Sequence, residues 1–216
     1  LVLPPVKISA EGTYDEDLER LILTNSRQPE LVRGDVRAQI AATEMGVTRM
    51  QDHCQRFGTE TVTDSFAAIL KSAADEMQAA ITALPDGEAS ADGYMDDDGV
   101  EMDKGVYFAV TVTKKGDDIT FDFSNSQSQA KGPINLRPSM VEACVFYSLI
   151  GCLGHNMQFN DGMRDVVKFV YAPRTITNAE SPAPVSSYQK ANLRLTDVIL
   201  EALATFNPAR AIAGSG

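Results

Sequence analysis

The stretch VYFAVTVTKKGDDITFDF, residues 106–123, decides the fold class. Val106, Phe108, Val110 and Val112 alternate with Tyr107, Ala109, Thr111 and Thr113; past KKGDD, Ile119, Phe121 and Phe123 alternate with Thr120 and Asp122. Successive side chains of a strand point to opposite faces, so a period of two predicts a β-hairpin with one buried face. Upstream of this stretch the period is helical, and downstream helices and strands mix. That order predicts an α+β fold: an N-terminal antiparallel helical hairpin, then a mixed β-sheet with packed helices, within a larger subunit.

The helical part follows from spacing. In DEDLERLILTN, residues 15–25, Leu18, Leu21 and Ile22 share one face, and the leading acids suit the positive end of the helix dipole. Pro29 opens a second helix, as proline does at a first helical position. Val36, Ile40, Val47, Met50, Cys54 and Phe57 follow at helical steps, and Gly58 is placed to cap it. A third helix is expected over about residues 61–84, from Phe66 through Met77 to Leu84, and PDG at 85–87 ends it. Two long amphipathic helices with a short link predict an antiparallel pair. Residues 1–85 then form a helical subdomain with a leading extended segment, and residues 86–216 an α+β subdomain.

After the hairpin, a polar loop SNSQSQAKGPIN leads to a helix over about 138–153 whose lack of a polar face places it centrally in the core. VVKFVY at 166–171 reads as a strand, NAESPAPVS as a loop, and residues 189–206 as a last helix stopped by Pro208.

Charge and cysteines narrow the function classes. The net charge is -11, and Asp86, Glu88, Asp92, Asp96, Asp97, Asp98, Glu101 and Asp103 follow one another with no base before Lys104. Phosphate neutralisation needs a basic surface, so neither nucleic acid nor an anionic membrane is the expected partner. Cys54, Cys144 and Cys152 fit no zinc spacing, no apolar run reaches membrane-spanning length, and a reducing cytoplasmic setting is the expectation. DGYMDDDGVEMDKG, residues 92–105, invites a calcium reading. With Gly99 at position 6 of an EF-hand loop, however, Tyr94 falls at position 1 and Gly105 at position 12, where acids are required. The stretch then reads as a connection whose repulsion is relieved by solvent or by contact with a partner.

No nucleophile elbow, paired histidines or phosphate-binding glycine loop occurs in the sequence, so no catalytic residue is assigned and ATP, if used, binds elsewhere. His53 reads as a helix-end histidine, while His155, following the core helix, is kept as a candidate ligand. More informative are KGPIN (131–135) and FNDGMRD (159–165), which set glycine beside amides and charges at the mouths of apolar elements. Asn135, Asn160, Asp161 and Arg164 are the candidate substrate-binding residues, able to orient an amide or carboxylate. Ordinary turn chemistry would use the same residue types.

PPVKI (4–8), RGDVRAQIAA (33–42), ALPDG (83–87), GYMDDDG (93–99), FDFSNSQSQAKGPIN (121–135), FNDGMRDVV (159–167) and PAPVS (182–186) occur in an order that resembles hydantoinase B subunits nearly end to end. That family includes the matching part of 5-oxoprolinase and the related subunits of acetone and acetophenone carboxylases. Asn125 stands where a glycine is expected in its DFSG motif, and a Gln-Ser pair replaces the usual Ser-Pro nearby. The resemblance implies an ATP-dependent system in which a hydantoinase A-like partner binds ATP and phosphorylates the substrate. The B-like subunit then hydrolyses the activated cyclic amide or, in the carboxylases, takes part in joining an activated ketone to bicarbonate-derived carbon. It also implies a divalent metal whose histidine and aspartate ligands lie upstream of PPVKI. The chain is therefore expected to be the central fragment of a B-like subunit, inactive without its remaining segments. An alternative is a noncatalytic binding or assembly module.

Overall fold

A computed structural model describes residues 3–154 and 157–212; His155, the candidate ligand, lies outside the described residues. The chain divides into two compact units, residues 1–66 and 67–216.

The first unit opens with two short antiparallel strands, β1 (Ser9–Ala10) and β2 (Thr13–Tyr14), turning through Gly12 at φ 78°. Helix α1 (Glu16–Thr24) starts where Asp15 accepts the N–H of Leu18 at 2.9 Å, satisfying one of the unpaired donors at its N-terminus. Helix α2 (Pro29–Phe57) begins on its proline and ends at Gly58, whose φ of 87° suits glycine. Glu19 of α1 is buried and receives Arg37 of α2, Nε to Oε1, at 2.9 Å. Apart from such ties α2 buries no residue, and Leu31, Met45, Val47, Met50 and Phe57 are exposed.

Helix α3 (Thr59–Thr82) has its buried residues, Ala73, Met77, Ala80 and Ile81, in the half that belongs to the second unit. They join a core built on one face of a four-stranded sheet, in the order β3 (Gly87–Met95), β4 (Val106–Lys115), β5 (Asp118–Asp122), β6 (Val167–Val170). The first two pairings are antiparallel and the last is parallel, so the sheet is mixed and the α+β class holds. The hairpin stands where period two placed it, with Gly116 at φ 58° in its turn. The register aligns Ala89, Ala91 and Gly93 with Val112, Val110 and Phe108, and Phe121 with both Val112 and Phe169. This is the buried face. Helices α4 (Pro138–Leu153) and α5 (Tyr188–Ala204) pack against each other, and α5 packs on β3 and β4.

Strand β3 was not predicted. GEASADGYM is poor in the β-branched and aromatic residues that mark strands, and its buried positions are Ala89, Ala91 and Gly93. Small side chains on the inner face let α5 come close, and a Cβ on Gly93 would overlap the Arg194 guanidinium of that helix. Helix α4 also differs from expectation. Its buried residues do lie centrally, but Ala143, Tyr147 and Gly151 form an open face lining a cavity of about 570 Å3 with Phe159, Leu200 and Ile212 and with Arg210 as its one charged lining residue.

One ion pair ends the buried face. Lys114 is 4% exposed, and its ammonium donates to Asp86 Oδ1 at 2.8 Å, an oxygen that also accepts the N–H of Gly116 at 2.9 Å. These contacts hold the Asp86 carboxyl below the usual carboxylate range, the lysine hydrogen bond contributing most. Removing one partner of a buried pair strands the other, whereas replacing the buried charge with an apolar group does not. Asp86→Ala is therefore expected to lower the melting temperature more than Lys114→Met does, as thermal denaturation followed by circular dichroism would read. The reverse order would mean that the lysine's stem, not its charge, matters.

Candidate functional site

The KGPIN loop is fixed by two side chains. Asn135 is wholly buried; its Oδ1 accepts the N–H of Ala130 at 2.7 Å, and its Nδ2 donates to the carbonyls of Ala130 (3.0 Å), Gly132 (3.0 Å) and Pro184 (2.9 Å). An amide carries two N–H bonds and one carbonyl oxygen, so both polar atoms are engaged by backbone. Asp98 is the second. This carboxylate, from the centre of the acidic stretch, is 3% exposed and accepts the N–H groups of Val100 (2.8 Å), Glu101 (2.6 Å) and Gly132 (2.8 Å). The Glu101 N–H is the first cause holding its carboxyl below the ordinary range, and burial opposes it. A Cβ on Gly132 would overlap the Asp98 carbonyl, which explains the glycine of KGPIN.

Two more acids of the stretch are satisfied within the chain. Asp97 accepts the N–H of Gly99 at 2.7 Å, and Glu101 receives Lys131 at 2.8 Å and Lys104 at 3.5 Å. The sequence reading, which looked to solvent or a partner for that relief, missed these contacts because Lys131 is 30 residues away.

FNDGMRD folds as a 3-10 helix over Asp161–Val166. Asn160 caps it, Oδ1 accepting the N–H of Gly162 at 2.9 Å, and its Nδ2 donates to the carbonyl of Ile69 at 3.4 Å. Gly162 approaches α3 so closely that a Cβ would overlap the carbonyl of Leu70. Asp161 is exposed, and its carboxylate has no hydrogen-bond partner among the described residues. Arg164 reaches Glu142 of α4, its terminal nitrogen 2.9 and 3.1 Å from the two carboxylate oxygens. Asn160, Asp161 and Arg164 thus share one turn, while Asn135 belongs to the other loop.

Sequence reasoning missed two residues here, Glu142 and Tyr171. Glu142 is the one charged residue in the helix PSMVEACVFYSLIGCL, a signal that could have been noticed. Tyr171 stacks on Phe123 with ring centroids 5.8 Å apart, and its hydroxyl is buried without a hydrogen-bond partner among the described residues. Burial, then the nearby Glu142 charge, pushes its pKa up, so it remains a protonated donor.

Among the described residues no group of three or more His, Cys, Asp or Glu side chains could hold a metal. The divalent metal implied by the sequence resemblance therefore finds no ligand set in them, and no step below is routed through one. Among the same residues no helix is long and apolar enough to cross a membrane.

The architecture is that of an α+β segment with two braced loops beside a core helix. The chain belongs to the hydantoinase B/oxoprolinase family, whose model matches residues 1–216. It is 28% identical to the caprolactamase subunit beta of Pseudomonas jessenii over 100% of this chain and 37% of that protein. A 5-oxoprolinase of Dictyostelium discoideum is 25% identical, with 91% of this chain and 16% of that protein covered. The crystal structure of the ATP-dependent caprolactamase from Pseudomonas jessenii superposes with a TM-score of 0.87 at 27% identity, covering 97% of this chain and 36% of that one. The nucleotide-free structure of an acetone carboxylase shares the fold, with a TM-score of 0.81 at 18% identity over 95% of this chain and 29% of that one. The chain thus spans well under half the length of these relatives.

Proposed function

We propose that the chain is a segment of the B-like subunit of an ATP-dependent cyclic amide hydrolase. In this reading an A-type partner binds ATP and phosphorylates the amide oxygen of a hydantoin, oxoproline or lactam ring, and the B-like subunit admits water to the activated carbon. The physical reason for activation is that an amide is a poor electrophile, whereas phosphorylating its oxygen opens the ring carbon to attack: water adds, the ring C–N bond breaks with its nitrogen protonated, and the acyl phosphate so formed is hydrolysed to carboxylate and phosphate. The observation that carries the reading is the likeness to the ATP-dependent caprolactamase over 97% of the chain. Within the segment, Asn160, Asp161 and Arg164 contribute to the substrate site, and Asn135 shapes the neighbouring loop. The remaining segments of the subunit supply the divalent metal ligands.

A second reading, a subunit of an acetone or acetophenone carboxylase, has support from the acetophenone carboxylase delta subunit of Aromatoleum aromaticum, 24% identical over 85% of the chain. The two separate in one assay. The full-length subunit with its ATP-binding partner is expected to cleave ATP in the presence of hydantoin, 5-oxoproline or a lactam. ATP cleavage only with acetone or acetophenone plus bicarbonate would replace the first reading by the second. In the hydrolase, Arg164→Ala is expected to lower kcat/KM about tenfold or more, the scale of one lost charge-assisted hydrogen bond. The melting temperature should fall as well, because the Glu142 side chain left without its partner is only 11% exposed, so rates are compared at a temperature where the variant is folded. Wild-type rates in this variant would remove Arg164 from the site.

A further inference from the structure

We infer that the free edge of β3 is the docking site for an extended basic segment of the ATP-binding partner, which joins the four-stranded sheet there as one more strand. The identity of that partner rests on the hydrolase proposed above.

The pairing pattern shows which backbone groups are open. On β4 the N–H of Tyr107 goes to the Gln127 side chain at 2.9 Å and its carbonyl accepts the Gln127 N–H at 3.2 Å. The N–H and carbonyl of Ala109 are both taken by the Ser126 hydroxyl, at 3.1 and 3.0 Å. Neither residue has backbone groups left for β3. Bonding in an antiparallel pair alternates, so the β4 residues that bond β3 are Val106, Phe108, Val110, Val112 and Lys114, opposite Met95, Gly93, Ala91, Ala89 and Gly87. The residues between, Glu88, Ser90, Asp92 and Tyr94, therefore turn their N–H and C=O groups outward. Strand β3 is last in the sheet order, and no described residue hydrogen-bonds to those groups.

Such an edge is a template for another strand, and edges that are to stay empty are shortened, bulged or broken by proline. Strand β3 is nine residues long, holds no proline, and runs one to one with β4 from Gly87 opposite Lys114 to Met95 opposite Val106.

Charge names the occupant. The side chains of Glu88, Ser90, Asp92 and Tyr94 are exposed, Asp96 and Asp103 are exposed just beyond the strand, and the strand itself carries no base. A strand with Lys or Arg opposite Glu88 and Asp92 gains attraction across the ribbon, whereas a second copy of β3 would bring two more carboxylates to it. Tyr94, 61% exposed and packed on Tyr107 with ring centroids 4.9 Å apart, adds an aromatic anchor at one end. The same charge favours a second chain over the subunit's own. An edge filled during folding needs no repulsion against its copies; one that waits for a partner does. Main-chain bonds then supply affinity, and alternate side chains supply the choice of partner.

The test uses the full-length subunit and its ATP-binding partner, with the dissociation constant read by biolayer interferometry and the melting curve of each free variant recorded beside it. Ser90→Pro removes one outward N–H and spares the bonds to β4, which Ser90 does not make. It is expected to weaken association by about tenfold or more relative to Ser90→Ala, which loses only the 2.8 Å hydroxyl contact to Thr111. The double substitution Glu88→Lys, Asp92→Lys leaves the backbone untouched. It should weaken association by about tenfold or more and reduce its dependence on salt. Unchanged association in the charge-reversed variant, or in a folded Ser90→Pro variant, would overturn the inference. So would a charge-reversed free subunit that melts well below the wild type, since the subunit's own segments would then fill the edge. If Ser90→Pro does not fold, the charge-reversed variant decides alone. ATP cleavage only with ketone and bicarbonate would replace the hydrolase reading and leave this one standing, because association is measured without substrate.

Discussion

Asn135→Ala is expected to lower the melting temperature by on the order of 10 °C, with activity lost as fold is lost. The amide shares its two N–H bonds among the carbonyls of Ala130, Gly132 and Pro184 and accepts the Ala130 N–H. Alanine would orphan these groups in a place water does not reach, since Asn135 is 0% exposed. Each buried orphan costs about 1–3 kcal/mol, and partial relaxation brings the sum to roughly 3 kcal/mol. For a unit of this size that is about 2–4 °C per kcal/mol. Differential scanning fluorimetry reads the shift. Asn135→Asp should be nearly as damaging, because it keeps the acceptor but removes the donor. A variant that melts like the wild type and yet turns over slowly would make Asn135 a substrate-binding residue after all.

Gly132→Val should be as severe, for a steric reason. Any Cβ at this position overlaps the Asp98 backbone carbonyl, and backbone cannot swing aside as a long side chain can. The loop would have to leave the Asp98 carboxylate, breaking the 2.8 Å hydrogen bond to Oδ2 and leaving the buried charge with only the Val100 and Glu101 N–H groups on Oδ1. Overpacking of this kind costs about 1–3 kcal/mol before the lost bond is counted. Soluble yield and melting temperature are both expected to fall, and an unchanged melting curve would mean the loop is not clamped there. The same clamp gives a pH dependence. Because the folded carboxyl of Asp98 titrates below its unfolded value, its stabilisation is present above the ordinary carboxylate pKa and fades as pH falls through the folded one. Asp98→Asn should flatten the acid limb of the stability curve, and a variant as acid-sensitive as wild type would place that sensitivity elsewhere.

These loops mark the limit of what could be read in advance. Period and punctuation located the hairpin at 106–123, the helix opened by Pro29 and the helix over residues 138–153, because each reflects a local repeat that backbone geometry imposes. Strand β3 escaped, since its buried alanines and glycine carry no strand preference of their own and take their role from α5 lying over them. The 3-10 turn at Asp161–Val166 escaped because turn residues alone do not distinguish a loop from a short helix.

Family membership likewise rests on the ordered series of short segments, which one sequence contains in full. What each loop residue does is another matter. Asn135 and Arg164 read alike, as polar residues near a glycine, yet Asn135 is enclosed by three carbonyls and Arg164 is held at one corner by Glu142 with its other donors open. Asp98 looked like any of its acidic neighbours until the fold brought Gly132 to it from 34 residues away. By itself the sequence determined the α+β class, most of the elements and the family, because those depend on local periodicity and residue order. Only the tertiary structure decided which polar groups are used up in holding loops and which keep hydrogen-bonding capacity open, because that depends on partners distant in the chain competing for the same hydrogen bonds.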